Sequence, residues 1–184
     1  MQSDTIDINS IIAGCRKGHR KAQEQLYRAY YSAMVSLCLR YTKNDDDAVE
    51  VLNTGFLKVF QNIHRYDDVR SNLYTWIRTI MVNSCLDFIW QKAKSVPGND
   101  LEYAADVHIP PEVVQKIGAD ELLALVRQLA PATQAVFNLY IAEGYSHKEI
   151  AQLLNVSEGT SKWHLAVARK QLQLKLEKDN SLHE

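Results

Sequence analysis

Cysteine is scarce in this chain and does not pair: Cys15, Cys38 and Cys85 are widely spaced and odd in number, which excludes a disulfide framework and a paired metal-ligand cluster. Mostly buried thiols in a reducing cytosol are the expectation. No apolar run approaches the about 18 residues a membrane helix needs, and the N-terminal MQSDTIDINS has no basic region followed by an apolar one. Membrane insertion and secretion are therefore not expected, and a cytoplasmic location is. There is no HExxH, no glycine-rich phosphate loop after a strand, no nucleophile elbow and no Cys/His metal spacing. An enzyme, a cofactor and a metal site are all unsupported. Net charge is missing too: 21 Lys and Arg stand against 22 Asp and Glu, which argues against coating nucleic acid by bulk electrostatics. What the sequence does have is 46% apolar content over 184 residues, enough for one medium folded domain or two small ones.

The distribution of charge says more than its total. Residues 1–95 hold 13 basic and 10 acidic side chains, residues 96–128 hold 2 and 6, and residues 129–184 hold 6 and 6. Phosphate neutralisation supplies much of the affinity for DNA, so a domain with this balance needs a second anchor to bind it well.

The first half reads as helices. Ile8, Ile11, Ile12 and Cys15 fall at helical spacing behind Asp7 as a cap. From Arg20 to Tyr41, an apolar stripe of Ala22, Leu26, Tyr30, Met34, Leu37 and Tyr41 recurs every three or four residues. Asn44 and Asp45 give a polar start to a third helix carrying Ala48, Val51, Leu52, Phe56, Val59, Phe60 and Ile63. His64 to Asn72 is a loop, and Ser71 or Asn72 caps a helix with Leu73, Trp76, Ile77, Ile80, Leu86 and Ile89. The pattern then fails between Lys92 and Pro111, where Pro97, Gly98, Asn99, Asp100, Pro110 and Pro111 read as an exposed linker. Beyond it, helices are expected at Glu112–Ala130, Pro131–Ala142, His147–Leu154 and Glu158–Lys178. The expected architecture is all-α, two small helical domains (1–95 and 112–184) joined by a flexible linker (96–111).

The strongest local signal is Tyr145 to Lys170. Ser146 to Glu149 fits a capping box, an eight-residue helix bears Ile150, Ala151 and Leu154, and Asn155-Val156-Ser157 is a tight turn before a second capped helix. This helix-turn-helix leaves the first turns of the last helix free to enter a major groove. Ser161, Leu165, Ala168, Leu172 and Leu176 form the inward stripe. Ser157, Glu158, Gly159 and Thr160 bring a hydroxyl and backbone N–H groups toward phosphates. Lys162, Trp163, His164, Ala166, Val167 and Lys170 are placed on the outer face, which carries no acid from residue 162 to 170. Lys162 and His164 suit phosphate or base edges; Trp163 suits sugar, a thymine methyl or a protein interface.

With these motifs in order, the chain resembles bacterial RNA polymerase sigma factors of the extracytoplasmic-function (ECF) group. Tyr145 to Lys170 is similar to the region 4 signature, and Arg20–Tyr41, Asp47–Phe60 and Tyr74–Asp87 look like successive helices of region 2. The resemblance implies that Glu50, Val51, Leu52, Asn53 and Phe56 contact a coiled coil of the largest polymerase subunit. The family usually has Asp where Glu50 stands, Gln where Asn53 stands, and often an acid at Thr54. It implies contact with the minus-ten element by Arg65, Tyr66, Arg70, Asn83, Lys92 and Lys94. Arg65, Tyr66 and Arg70 sit where similar proteins capture flipped bases, by stacking and charge compensation. Trp76 and Asp87 take structural roles. Only Lys92 and Lys94 remain of a basic run that usually follows Asp87, and His164, Ala166 and Val167 stand where similar proteins commonly have an Arg, a small polar residue and often another Arg; both departures point to low intrinsic promoter affinity or an unusual preferred sequence. The implied partners are core RNA polymerase, promoter DNA and an anti-sigma factor. The implied action is promoter recruitment and strand opening, with no bond made or broken. A helix-turn-helix regulator that dimerises without replacing the sigma subunit is the alternative, and binding to core polymerase separates the two.

Overall fold

The computed structural model describes residues 7–94 and 119–180. Every regular element among them is helical: α1 (Ile8–Arg16), α2 (Arg20–Tyr41), α3 (Asp45–Asn62), a 3-10 turn (Ile63–Arg65), α4 (Leu73–Lys94), α5 (Ala119–Val126), α6 (Pro131–Phe137), a π turn (Asn138–Ala142), α7 (His147–Leu154) and α8 (Glu158–Asn180). Two compact units divide between Phe88 and Ile89, inside α4. The linker expected at 96–111, and the helix start expected at Glu112, lie outside the described residues.

In the first unit the expected caps are in place. Asp7 accepts from Asn9 N, Asn44 from Asp47 N at 2.8 Å, and Asn72 from Thr75 N at 2.8 Å. Asp45, Asp46 and Asp47 follow Asn44 in the first turn of α3, where the helix dipole favours negative charge. Helix α2 packs along both α1 and α3. Leu26, Met34, Leu37, Leu52, Phe56, Ile77 and Met81 are among the most completely buried side chains, each worth about 1.5–3 kcal/mol by removal from water. Cys38 and Cys85 lie in this core as free thiols with sulfurs 3.9 Å apart. Tyr30, Phe60, Trp76 and Ile80, expected in the stripes, are only half-buried.

Two glycines set the spacing of these helices. A Cβ on Gly55 would lie against the Met81 side chain, whose flexible end can move aside. A Cβ on Gly14 would lie 2.6 Å from Ala22 Cβ, which is fixed to the α2 backbone and cannot. Overpacking costs about 1–3 kcal/mol, against about 1 kcal/mol regained from helix propensity, so packing wins. Gly14→Ala is expected to destabilise the first unit by about 1 kcal/mol and lower its melting temperature by about 4–8 °C, read by scanning calorimetry. An unchanged or raised melting temperature would contradict the close α1–α2 approach.

In the second unit α6 and α7 pack on α8 around Leu129, Val136, Leu139, Ile150, Leu165, Ala168 and Leu172. Pro131 opens α6, where its missing N–H has no helical partner to lose. The expected single helix over 131–142 changes character partway. After Phe137 it widens into a π turn, and Tyr145 N donates back to Leu139 O at 2.9 Å. Gly144, at φ 77°, supplies the left-handed conformation that reverses the chain toward α7.

Candidate nucleic-acid interface

The α7–turn–α8 segment is held by a dense set of local bonds. Ser146 Oγ accepts from Glu149 N, and Glu149 accepts from the Ser146 backbone at 2.8 Å, closing the capping box. The Ser146 hydroxyl, donating to the Glu149 carboxylate at 2.7 Å, and then the Ser146 backbone N–H hold that carboxyl below the usual range. Asn155 ends α7 in the left-handed region at φ 54°, a conformation asparagine tolerates better than other side chains. Ser157 Oγ then accepts from Thr160 N at 2.9 Å, which caps α8. Across the turn, His147 Nδ1 is hydrogen-bonded to the buried Ser161 Oγ at 2.9 Å, and the His147 ring stacks on Tyr140 at 4.6 Å. Burial first, then the cations Lys162 and Arg169, push His147 toward its neutral form against the opposing pull of Glu158.

Helix α8 turns its stripe inward as expected: Ser161, Leu165, Ala168, Leu172 and Leu176 are all buried. Ser157, Glu158, Gly159, Lys162 and Lys170 are exposed, while Thr160, Trp163, Ala166 and Val167 are half-buried. The Thr160 hydroxyl is bonded to Ser157 Oγ at 2.8 Å. Gly159 has room for a side chain, with Ser157 Oγ 3.5 Å from an added Cβ, so intramolecular packing does not require glycine there.

His164 corrects the sequence reading. It is 4% exposed, and its Nδ1 is hydrogen-bonded to the buried Thr133 Oγ1 of α6 at 3.0 Å. Burial pushes its pKa down, toward the neutral ring. The imidazole fixes α8 on α6 and does not face a ligand. Its register gives it away: residue 164 lies three after Ser161 and four before Ala168, on the inward stripe, and residue type alone had placed it outside. Thr133 and Tyr140, which hold the two histidines, carry no comparable signal.

The first unit divides its expected contacts similarly. Glu50 and Asn53 are exposed on α3, whereas Val51, Leu52 and Phe56 are at most 1% exposed and belong to the core. Direct contact by those three with a partner is thereby corrected to support from beneath. Tyr66 is corrected likewise. It is 7% exposed, its ring lies 5.4 Å from Trp76, and its hydroxyl donates to Ser71 O at 3.2 Å, so it cannot receive a flipped base in this arrangement. Burial and the neighbouring Asp68 and Asp67 raise its pKa against the opposing effect of Arg16.

Arg16 holds this loop from α1, donating to Tyr66 O at 2.8 Å and Ile63 O at 3.4 Å, a contact the sequence did not reveal. Arg65 and Arg70 are exposed, Arg70 beside Asp67 at 3.4 Å. Asn83 and Lys92 are exposed on α4, and the side chain of Lys94 lies outside the described residues. Asp87 pairs with Lys58 of α3 at 2.8 Å, a largely exposed bridge that contributes little stability.

Known proteins share both halves of this arrangement. The family description Sigma-70 region 2 matches residues 26–95, and Sigma-70, region 4 matches residues 119–172. The chain is 30% identical over 167 residues to the ECF RNA polymerase sigma factor SigM of Mycobacterium tuberculosis, covering 88% of this chain and 81% of that protein. It is 21% identical over 187 residues to the ECF RNA polymerase sigma-E factor of Haemophilus influenzae, covering 95% and 98%. Its fold is similar to that of the sigma factor RpoE of Bartonella quintana, solved in complex with the anti-sigma factor NepR. There the TM-score is 0.55 and the identity 20%, over 84% of this chain and 96% of that one. CnrH, solved with the cytosolic domain of CnrY, gives 0.51 and 18% over 92% and 96%. At such identities the likeness to the two solved structures is one of fold.

Proposed function

This chain belongs to the ECF group of the sigma-70 family, and on that premise we propose how its two units divide the work of starting transcription. The first unit docks core RNA polymerase on the exposed face of α3, through Glu50 and Asn53. Arg65, Arg70 and Asn83 meet the minus-ten element, with Lys92 and Lys94 following on α4. The second unit sets the N-terminal turns of α8 into the major groove of the minus-thirty-five element. There Ser157, Glu158, Gly159 and Thr160 lie near phosphates, and Lys162, Trp163 and Lys170 face the duplex.

The observation that carries this reading is the outer surface of α8: a capped, rigidly held helix whose exposed side chains from 162 to 170 include no acid. Near-zero net charge makes the isolated chain a weak DNA binder, so the polymerase supplies the missing anchor. Binding energy gained on docking and on unpaired bases offsets the loss of base stacking during opening. A sequestering anti-sigma partner belongs to the same proposal, since the similarly folded RpoE of Bartonella quintana was solved in complex with one.

In vitro transcription with purified core polymerase and genomic DNA tests the whole scheme. Transcripts that appear only when the protein is added are expected. Stimulation of intact holoenzyme, without any response from core enzyme, would instead identify a conventional regulator.

A further inference from the structure

A side-chain hydrogen bond links α2 to the face of α3 assigned to polymerase docking. Tyr27 Oη donates to Asn53 Oδ1 at 3.1 Å. The Tyr27 ring is wedged in place, its centroid 4.6 Å from the buried Phe56 and 5.6 Å from Tyr31. The hydroxyl is therefore delivered to Asn53 with little rotamer freedom. Asn53 itself lies on an exposed surface with Glu50, beside Val49 at 42% and Leu57 at 56% exposure.

A bond this exposed adds little to folding, because water competes for both groups. Its effect emerges when a partner excludes that water and the local dielectric falls. With Oδ1 committed to Tyr27, the amide keeps both Nδ2 hydrogens for a partner, and the neighbouring Glu50 carboxylate offers an acceptor. The surface is thus polar in a defined sense: donor at residue 53, acceptor at residue 50.

We propose that Tyr27 is a positioning residue for core-polymerase docking, fixing the Asn53 amide so that Nδ2 meets a hydrogen-bond acceptor on the polymerase. The inference rests on the reading of α3 as the docking helix. Asparagine, one methylene shorter than the glutamine usual in similar proteins, reaches less far and gains most from being held.

The test titrates core RNA polymerase with the full-length protein, reading affinity by fluorescence anisotropy and folding by thermal midpoint. Tyr27→Phe keeps the ring contacts and deletes only the hydroxyl. Binding about five-fold weaker, about 1 kcal/mol, with an unchanged midpoint is expected. In an Asn53→Ala background the same substitution should have no further effect, the coupling that marks a working pair. Unaltered affinity of Tyr27→Phe overturns the inference. So does a loss that persists in the Asn53→Ala background, or one accompanied by a matching fall in midpoint. Glu50→Arg tests the underlying reading separately. Core binding untouched by Glu50→Arg overturns α3 docking and the inference together; binding lost there but retained in Tyr27→Phe overturns the inference alone.

Discussion

Arginine in place of His164 should unfold the second unit and with it abolish promoter recognition. The imidazole is buried between α6 and α8 and satisfied by Thr133. A guanidinium there carries a charge into a site whose known partner is one hydroxyl. An uncompensated buried charge costs about 3–5 kcal/mol, a large share of the 5–15 kcal/mol typical of a whole domain. Calorimetry should show the transition of this unit lost or shifted far down, while the first unit melts as before. His164→Leu should cost less, about 1–3 kcal/mol, because it only orphans the Thr133 hydroxyl, and adding Thr133→Val should recover part of that loss. A His164→Arg chain of ordinary stability and improved DNA affinity would return this side chain to the duplex-facing surface.

The same burial gives the unit a pH dependence. Both His164 and His147 have folded-state pKa values pushed below the ordinary 6.5. Between those lowered values and 6.5 the unfolded chain binds protons that the folded chain refuses, so stability falls with falling pH. Stability is complete above about 6.5 and declines below it, and His164→Leu removes part of the decline.

Charge reversal of Lys162 and Lys170 together is the second large effect, and it falls on binding and leaves folding alone. Both are exposed on α8, so a surface change should alter stability by no more than about 0.5 kcal/mol. Each phosphate contact contributes about 0.9 to the slope of log affinity against log salt. Losing two should flatten that slope by about 2 and weaken minus-thirty-five duplex binding on the order of 10- to 100-fold at physiological salt. Anisotropy of the complex with core polymerase across a salt series reads both quantities. A slope that stays the same removes these lysines from the interface.

How far the sequence could be read depended on whether an element had a period. Helix α2 was legible to the residue, Arg20 to Tyr41, because its stripe repeats over 22 residues. The capping box at Ser146 and the turn at Asn155 were equally plain, since their chemistry is local. Tyr66 was not legible. It sits in a loop without periodicity, and its burial comes from Trp76, ten residues on, and from a hydroxyl bond to Ser71. Val51, Leu52 and Phe56 show a different limit. Resemblance marks a stretch of helix, and only packing decides which residues in it look outward. Tyr27 and Arg16 act at separations of 26 and 50 residues, beyond any local pattern.

Arg16 also bears on where the first unit effectively begins. The part shared with the sigma family as region 2 starts at residue 26, yet the guanidinium that grips the loop at Ile63 and Tyr66 is on α1, ahead of it. Trimmed to the shared portion, the unit would keep α3 and Asn53 but lose Tyr66's outside brace. What looks like a leader helix is the far jaw of a clasp around the loop that follows α3.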